Sequence, residues 1–289
     1  LLMIRILTDS TADILPHEAA RLNLELVPLQ VSFENGETCR DGLDLTPDEF
    51  YARLVQCGKL PTTSQPSPEL FLEHFEAARA AGDEIIAILL SSQISGTYQS
   101  AQIAAETCGY GKIYLVDSQN ATLGEQLLVR LALRLRAEGA PVGQIVETLE
   151  REKHKIRLIA VVDDLKYFRK GGRLSGAEAF AGSLLGIKPV VSVQGGKVGL
   201  VGKARGMPGA YVALFKLMDA QGGLDEGCEY LIGYTAHRRA AEPLHRYLTG
   251  NLGLPAPQVY HIGTVIGTHA GPGAAGIAFF AKEAPADEA

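Results

Sequence analysis

The sequence predicts an α/β protein of two domains, an N-terminal Rossmann-like domain built on a parallel sheet and a C-terminal α+β domain with a mainly antiparallel sheet. Three observations lead there. In the first half, short apolar runs alternate with helical patterns, which is the signature of βαβ units and a parallel sheet covered on both faces. In the second half the rhythm changes, and Gln194-Gly195-Gly196-Lys197 between two valine-rich runs reads as a hairpin. The 289 residues also exceed the roughly 100–200 that one domain usually takes.

The elements follow in order. Ile4 to Leu7 reads as a buried strand, Asp13-Ile14-Leu15-Pro16 starts a helix that runs through Leu22, and Leu24 to Phe33 is extended. Thr46-Pro47-Asp48-Glu49 opens the next helix, with Thr46 as cap, Pro47 in the first turn and Glu49 completing a capping box. Ser67-Pro68-Glu69 repeats that grammar before a helix over Leu70 to Ala81. A strand (Glu84 to Leu90), a helix (Tyr98 to Cys108), a strand (Ile113 to Val116) and two helices (Gly124 to Glu138, Val142 to His154) complete the first half. The second half reads as a strand over Leu158 to Val162, a helix over Leu165 to Lys170, the hairpin, a helix over Pro208 to Gln221, a strand over Tyr230 to Tyr234, a helix over Ala240 to Leu248 and a strand over Gln258 to Gly263. Ile277, Ala278, Phe279 and Phe280 are assigned to an apolar helix. The domains are placed at 1–155 and 156–282, with a flexible acidic tail over 283–289.

Composition excludes several functions. The net charge of −6 argues against nucleic acid, whose phosphates require clustered Lys and Arg; the basic runs Lys166 to Arg173 and His237-Arg238-Arg239 are short. Cys39, Cys57, Cys108 and Cys228 form no C-x-x-C pair and the histidines are not spaced for zinc, so free thiols and no metal are expected. No apolar run approaches the roughly 18 residues that span a bilayer. Leu1 to Leu7 meets Thr8-Asp9 too soon for a signal peptide, and a cytoplasmic location is expected.

In parallel sheets, ligands collect beyond the carboxyl ends of the strands. Thr8 to Thr11, Ser91 to Thr97 and Asp117-Ser118 are polar segments at such ends. Ser95, Gly96 and Thr97 stand at a helix N-terminus, where unpaired N–H groups and the helix dipole favour an anion; a plain N-cap role for Ser95 fits as well. Pro61 to Pro68 clusters the hydroxyls of Thr62, Thr63, Ser64 and Ser67, as a binding loop or a connector. Gly267 to Gly276 places His269 among small residues, which suits a positioned donor or a structural histidine. The G-x-G-x-x-G from Gly271 to Gly276 lacks the βαβ unit and downstream acid of a dinucleotide site. Ser95, His269 and Asp9 or Asp117 are the residue types of a hydrolase triad, but Gln93 stands where the nucleophile-elbow pattern needs its first glycine.

Taken as an ordered set, Thr8-Asp9-Ser10-Thr11, Thr63-Ser64-Gln65-Pro66, Ser91 to Ser100, Lys170-Gly171-Gly172-Arg173, Ile187-Lys188-Pro189 and His269 to Gly276 resemble the DegV family of bacterial fatty acid-binding proteins. The resemblance runs from about residue 3 to 282. It implies a long-chain fatty acid between the two domains, its carboxylate bonded by Thr63 and Ser95 with His269 completing the network, and Ser64, Gly96 and Thr97 in support. It further implies a carrier without catalysis or cofactor that presents the acid to a fatty acid kinase, which makes an acyl phosphate for phospholipid synthesis. Arg173 and Arg205 are candidate kinase contacts, and Phe180, Leu184 and Ile187 candidate tunnel-lining residues. Neutral donors suit such a cargo, because a buried carboxylate needs hydrogen bonds and no strong ion pair then has to break when it leaves. A hydrolase or acyltransferase using Ser95 and His269, and a small-anion sensor, are the competing readings.

Overall fold

The structure, a computed structural model, describes residues 3–176 and 186–283. Strand β1 (Ile4–Asp9) leads through a 3-10 turn into helix α1 (Pro16–Arg21) and strand β2 (Leu24–Val27), which lies parallel to β1. The extended segment expected from Leu24 to Phe33 then divides. Pro28 has no N–H to give to a ladder, so β2 stops at Val27 and the chain turns away. Strand β3 (Gln30–Ser32) pairs antiparallel with β4 (Thr38–Arg40) and, after helix α2 (Pro47–Gln56), with β5 (Thr62–Ser64), making a small separate sheet.

Helix α2 carries the expected capping box: the Glu49 N–H donates to Thr46 Oγ1 at 3.3 Å and the Thr46 N–H to Glu49 Oε2 at 3.0 Å. Before helix α3 (Pro68–Ala81), Ser67 holds the cap position but its side chain takes no backbone N–H, so the repeated grammar there is only partial. Strand β6 (Glu84–Leu89), helix α4 (Thr97–Cys108) and strand β7 (Ile113–Asp117) complete a parallel sheet of order β2-β1-β6-β7. Helices α5 (Thr122–Ala137) and α6 (Val142–Glu152) follow.

The second half holds strand β8 (Ile156–Val161), helix α7 (Lys166–Gly171), strand β9 (Leu174–Ser175), the hairpin β10 (Ile187–Gln194) and β11 (Lys197–Arg205), and helix α8 (Gly206–Ala220). Strand β12 (Tyr230–Tyr234), helix α9 (Glu242–Arg246), strand β13 (Gln258–His261), helix α10 (Thr264–Ala270) and strand β14 (Ala275–Phe280) complete it. Its seven strands run β13-β12-β14-β8-β10-β11-β9, antiparallel except at the β12–β13 and β11–β9 pairs. The fold class read from the sequence is thus the one observed.

The helix assigned to Ile277 to Phe280 is a correction, since these residues form β14 in the interior of that sheet. A strand buried on both faces shows an unbroken apolar run rather than alternation, and so short a run does not separate strand from helix. Its side chains alternate between two cores. Ala278 and Phe280 face α5, while Ile277 and Phe279 pack with Leu214 and Met218 of α8.

Strand β6 divides in the same way. Ile86 and Ile88 meet Leu127 and Leu128 of α5, whereas Ile85, Ala87 and Leu89 meet Phe71 and Phe75 of α3. The layers are therefore helices, parallel sheet, α5 with α6 beside it, seven-stranded sheet, and helices again. The four cysteines are free. Among the described residues no helix is long and apolar enough to cross a membrane. The acidic tail expected over 283–289 lies, from residue 284 on, outside the described residues.

Gly271 ends α10 at φ 74° and ψ 174°, a region open almost only to glycine, and a Cβ there would stand 2.2 Å from Cδ2 of Tyr167 on α7. Gly271→Ala is expected to cost about 2–4 kcal/mol in urea-induced unfolding, from backbone strain together with displacement of the ring.

Candidate functional site

The site begins where β6 ends. The Leu90 N–H donates to Asp9 Oδ2 at 2.8 Å, which holds the outgoing chain against the end of β1. Ser91 Oγ donates 2.7 Å to the Gly196 carbonyl at the tip of the β10–β11 hairpin, joining this loop to the other sheet. A turn closed by the Ser95 N–H on the Ser91 carbonyl then brings Ser95 ahead of α4. The N-cap of α4 is Gly96 and not Ser95; Ser95 Oγ lies 2.9 Å from Thr97 Oγ1 and accepts the Thr97 N–H at 3.3 Å.

Thr63 sits in β5 opposite Val31 of β3, and His269 is the sixth residue of α10. Although 206 positions apart, they meet: Thr63 Oγ1 is 2.9 Å from His269 Nε2. The other ring nitrogen, Nδ1, is buried without a hydrogen-bond partner among the described residues and faces Gly171, where a Cβ would lie 2.1 Å from it. Burial, and secondarily the Arg173 guanidinium, push the His269 pKa down to about 4, so the ring is neutral at physiological pH. An orphaned N–H is the rarer defect in folded proteins than an under-used acceptor. The proton therefore belongs on Nε2, which donates to Thr63 Oγ1 and leaves the Thr63 hydroxyl hydrogen free to point elsewhere.

Both side chains border a cavity of about 400 Å³ between the two halves of the chain. Thr63, Ser64, Gln65, Ser95, His269 and Arg173 supply polar groups to its lining. The rest is mostly apolar and includes the start of α5, Val265 and Ile266 of α10, Leu29, Leu90, Ile94, Phe168 of α7 and the face of the seven-stranded sheet. On that face Gly233, Gly276, Ala160 and Val191 lie directly opposite one another on β12, β14, β8 and β10. This row of small side chains lets other lining residues come close to the sheet, with Ile262 and Leu123 packed against Gly233, and sequence reading missed it, as it missed Ala121 to Leu123. Each glycine or alanine is unremarked in its own strand, and only the register aligns them.

The other residues singled out from the sequence fall as follows. Thr97 is buried behind Ser95, and the space beside Gly96 is taken by the Gln65 amide, so neither lines the cavity. Arg173 is exposed in the lining and donates to the carbonyls of Gly171 (2.6 Å) and Ile94 (3.4 Å). Arg205 is exposed at the end of β11, away from the cavity. Ile187 pairs with Arg205 at the start of β10 and lies off the described cavity lining, while Phe180 and Leu184 lie outside the described residues.

Of the three polar strand ends, only the one after β6 reaches the cavity. Thr8, Asp9 and Thr11 bury themselves around Glu125 of α5, which accepts from Thr8 Oγ1 at 3.2 Å and Thr11 Oγ1 at 2.9 Å. Burial and the adjacent Asp9 carboxylate push Glu125 well above the usual carboxylate range. Asp117 accepts hydrogen bonds from Ser92. Neither Asp9 nor Asp117 meets His269, and the His269–Thr63 and Ser95–Thr97 pairings engage both atoms that a hydrolase would pair as base and nucleophile. What the arrangement offers is uncharged polar groups, among them Thr63, Ser95 and His269, in the lining of a mostly apolar cavity that Arg173 also borders.

Comparison with known proteins bears on this site. A family model described as "Uncharacterised protein, DegV family" matches residues 3–282. A DegV domain-containing protein of Caldanaerobacter subterraneus subsp. tengcongensis is 36% identical over 279 residues, covering 96% of this chain and 99% of that protein. Among solved structures, a DegV family protein from Thermus thermophilus, described for its fatty acid binding, superposes with a TM-score of 0.88 at 33% identity, covering 97% of this chain and 100% of that one. A stearic acid-binding protein from Eubacterium ventriosum gives a TM-score of 0.85 at 27% identity, covering 97% and 99%.

The pKa of His269 has a consequence for stability. Above about pH 6.5 the ring is neutral folded or unfolded and contributes nothing; below it the unfolded chain takes up a proton that the folded chain withholds down to about pH 4, so stability falls. Between about pH 7.5 and pH 5, His269→Gln is expected to lose about 2 kcal/mol less unfolding free energy than the wild type, read from urea titrations at both pH values.

Proposed function

The chain belongs to the DegV family, and on that premise we propose that it binds a long-chain fatty acid in the cavity between its two halves and delivers it to a fatty acid kinase. The observation that carries this reading is the contact of Thr63 with a neutral His269 in the lining of a mostly apolar cavity that Ser95 also borders. The carboxylate accepts from the hydroxyls of Thr63 and Ser95, with His269 Nε2 directing the Thr63 hydrogen toward it. The acyl chain lies over the row of small residues Gly233, Gly276 and Ala160, and each buried CH₂ contributes about 0.8 kcal/mol. A volume of about 400 Å³ is within the range of small-molecule sites. The fatty acid binding described for the Thermus protein, and the stearic acid of the Eubacterium protein, support the choice of ligand.

The protein is a carrier and not an enzyme: the hydrogen-bond partners taken by Ser95 and His269 favour holding a carboxylate over attacking an ester. The apolar walls favour an acyl chain over a small anion. Exposed Arg173 and Arg205 provide the kinase contact, and the kinase, a cytoplasmic partner, makes the acyl phosphate for phospholipid synthesis. The two domains divide at residue 155, ahead of β8, so that each contributes one wall of the cavity.

Mass spectrometry of solvent-extracted purified protein is expected to release long-chain fatty acid; a chain that yields none and takes up none when it is added rules the reading out. Thr63→Ala and Ser95→Ala are each expected to weaken acid binding about tenfold, the loss of one hydrogen bond to a charged group, and unchanged affinity in both would remove the assignment of the head-group site. Ala160→Leu is expected to shift preference toward shorter chains in competition between acids of different length, by filling part of the cavity floor.

A further inference from the structure

Helix α10 carries His269 and, through Val265 and Ile266, a wall of the cavity, yet it belongs to the second half of the chain while Thr63 and Ser95 belong to the first. Something must fix its position along and about its own axis. With a rise of about 1.5 Å and a turn of about 100° per residue, a slip of one position would carry Nε2 out of reach of Thr63.

Two buried carboxylates stand at its first turn. Asp41 Oδ1 accepts both the Thr264 N–H (2.9 Å) and the Thr264 hydroxyl (2.8 Å). Asp13 Oδ1 accepts the Gly263 N–H (2.8 Å), and its Oδ2 accepts the hydroxyl of Thr122 (2.6 Å), which itself lines the cavity at the start of α5. Both are more than nine-tenths buried, and neither makes an ion pair among the described residues. Burial and their mutual repulsion are unfavourable for such a pair, and the hydrogen bonds just named offset part of the cost, while Asp41 Oδ2 has no hydrogen-bond partner among the described residues.

Asp41 directly follows β4, and its N–H donates 2.9 Å to the Leu29 carbonyl, one residue ahead of β3. The other neighbour of β3 is β5, which carries Thr63. One small sheet therefore grips α10 at both ends, through Asp41 at Thr264 and through Thr63 at His269.

We propose that Asp41, with Asp13 beside it, is a positioning residue for the fatty acid carboxylate, acting through α10 to hold His269 in register with Thr63. The proposal rests on the fatty acid reading above for its ligand, but the placement of His269 does not depend on it. Asp41→Ala is expected to weaken binding of stearic acid about tenfold while changing binding of the alcohol of the same chain length less than about twofold, because the alcohol lacks the carboxylate that the indexed donors hold. Asp41→Asn, which keeps a capping oxygen, is expected to restore acid binding to within about twofold. Thr264→Ala removes only one of the two bonds to Asp41; it serves if Asp41→Ala does not fold, and is expected to give a smaller loss, about threefold, again for the acid alone.

In the ligand-free protein, the His269 imidazole NMR signals are expected to shift in Asp41→Ala and return in Asp41→Asn. Equal losses for acid and alcohol, or unshifted His269 signals, overturn the positioning role. A wild type that binds neither ligand overturns the fatty acid reading instead, and the ligand-free His269 signals still decide the role of Asp41.

Discussion

Helix α5 has to be buried on two sides at once. Leu127 and Leu128 complete a core that includes Ile86 and Ile88 of the parallel sheet and Leu158 and Ala278 of the seven-stranded sheet. Along its first three turns even polar residues such as Glu125 and Gln126 are enclosed. The two halves of the chain cannot part without exposing this helix to water, which makes them one body around a shared layer. The cavity opens at the N-terminal end of that layer, where Ala121 to Leu123 form part of its wall. The polar residues of the site are placed by loops and short elements between the two sheets, chiefly the Ser91–Gly196 contact and the docking of α10.

Charge is distributed with a consistent logic. The carboxylates that hold the framework together, Asp9, Asp13, Asp41 and Glu125, are buried in nests of hydroxyl and backbone donors. The donors facing the cavity are uncharged, with Arg173 at the exposed edge. A carboxylate held this way meets fixed dipoles instead of a buried counter-ion. That interaction is directional enough to orient a ligand and weaker than a desolvated ion pair, which suits the carrier role proposed above.

Much of the fold was legible because its signals are local. The Thr46 capping box, the Gly195-Gly196 hairpin turn and the alternation of apolar runs with helices each depend on a few adjacent residues. So does the place of Ser95 ahead of α4. What could not be read depends on the meeting of distant segments. Ile277 to Phe280 looks the same whether a helix or two cores enclose it, and only the partners β12 and β8 decide. Thr63 and His269 were joined through the family resemblance and not through any feature of their own surroundings. The row from Gly233 to Ala160 exists only in the register of three strands. Asp13 and Asp41 passed unnoticed because an aspartate in a turn carries no local sign that it will cap a helix more than two hundred residues later.

The strand order of the larger sheet also bears on how the chain is made. The parallel sheet is complete in sequence by Asp117, whereas β14, positioned between β12 and β8, leaves synthesis after both of its neighbours. While the ribosome is still adding residues 162–274, β8 presents an unpaired edge between apolar faces, and β12 does so as well from residue 235 onward. The N-terminal half can begin to fold during translation, but the larger sheet must wait for its keystone, and that interval is when the nascent chain is most exposed to edge-to-edge aggregation and most dependent on chaperones.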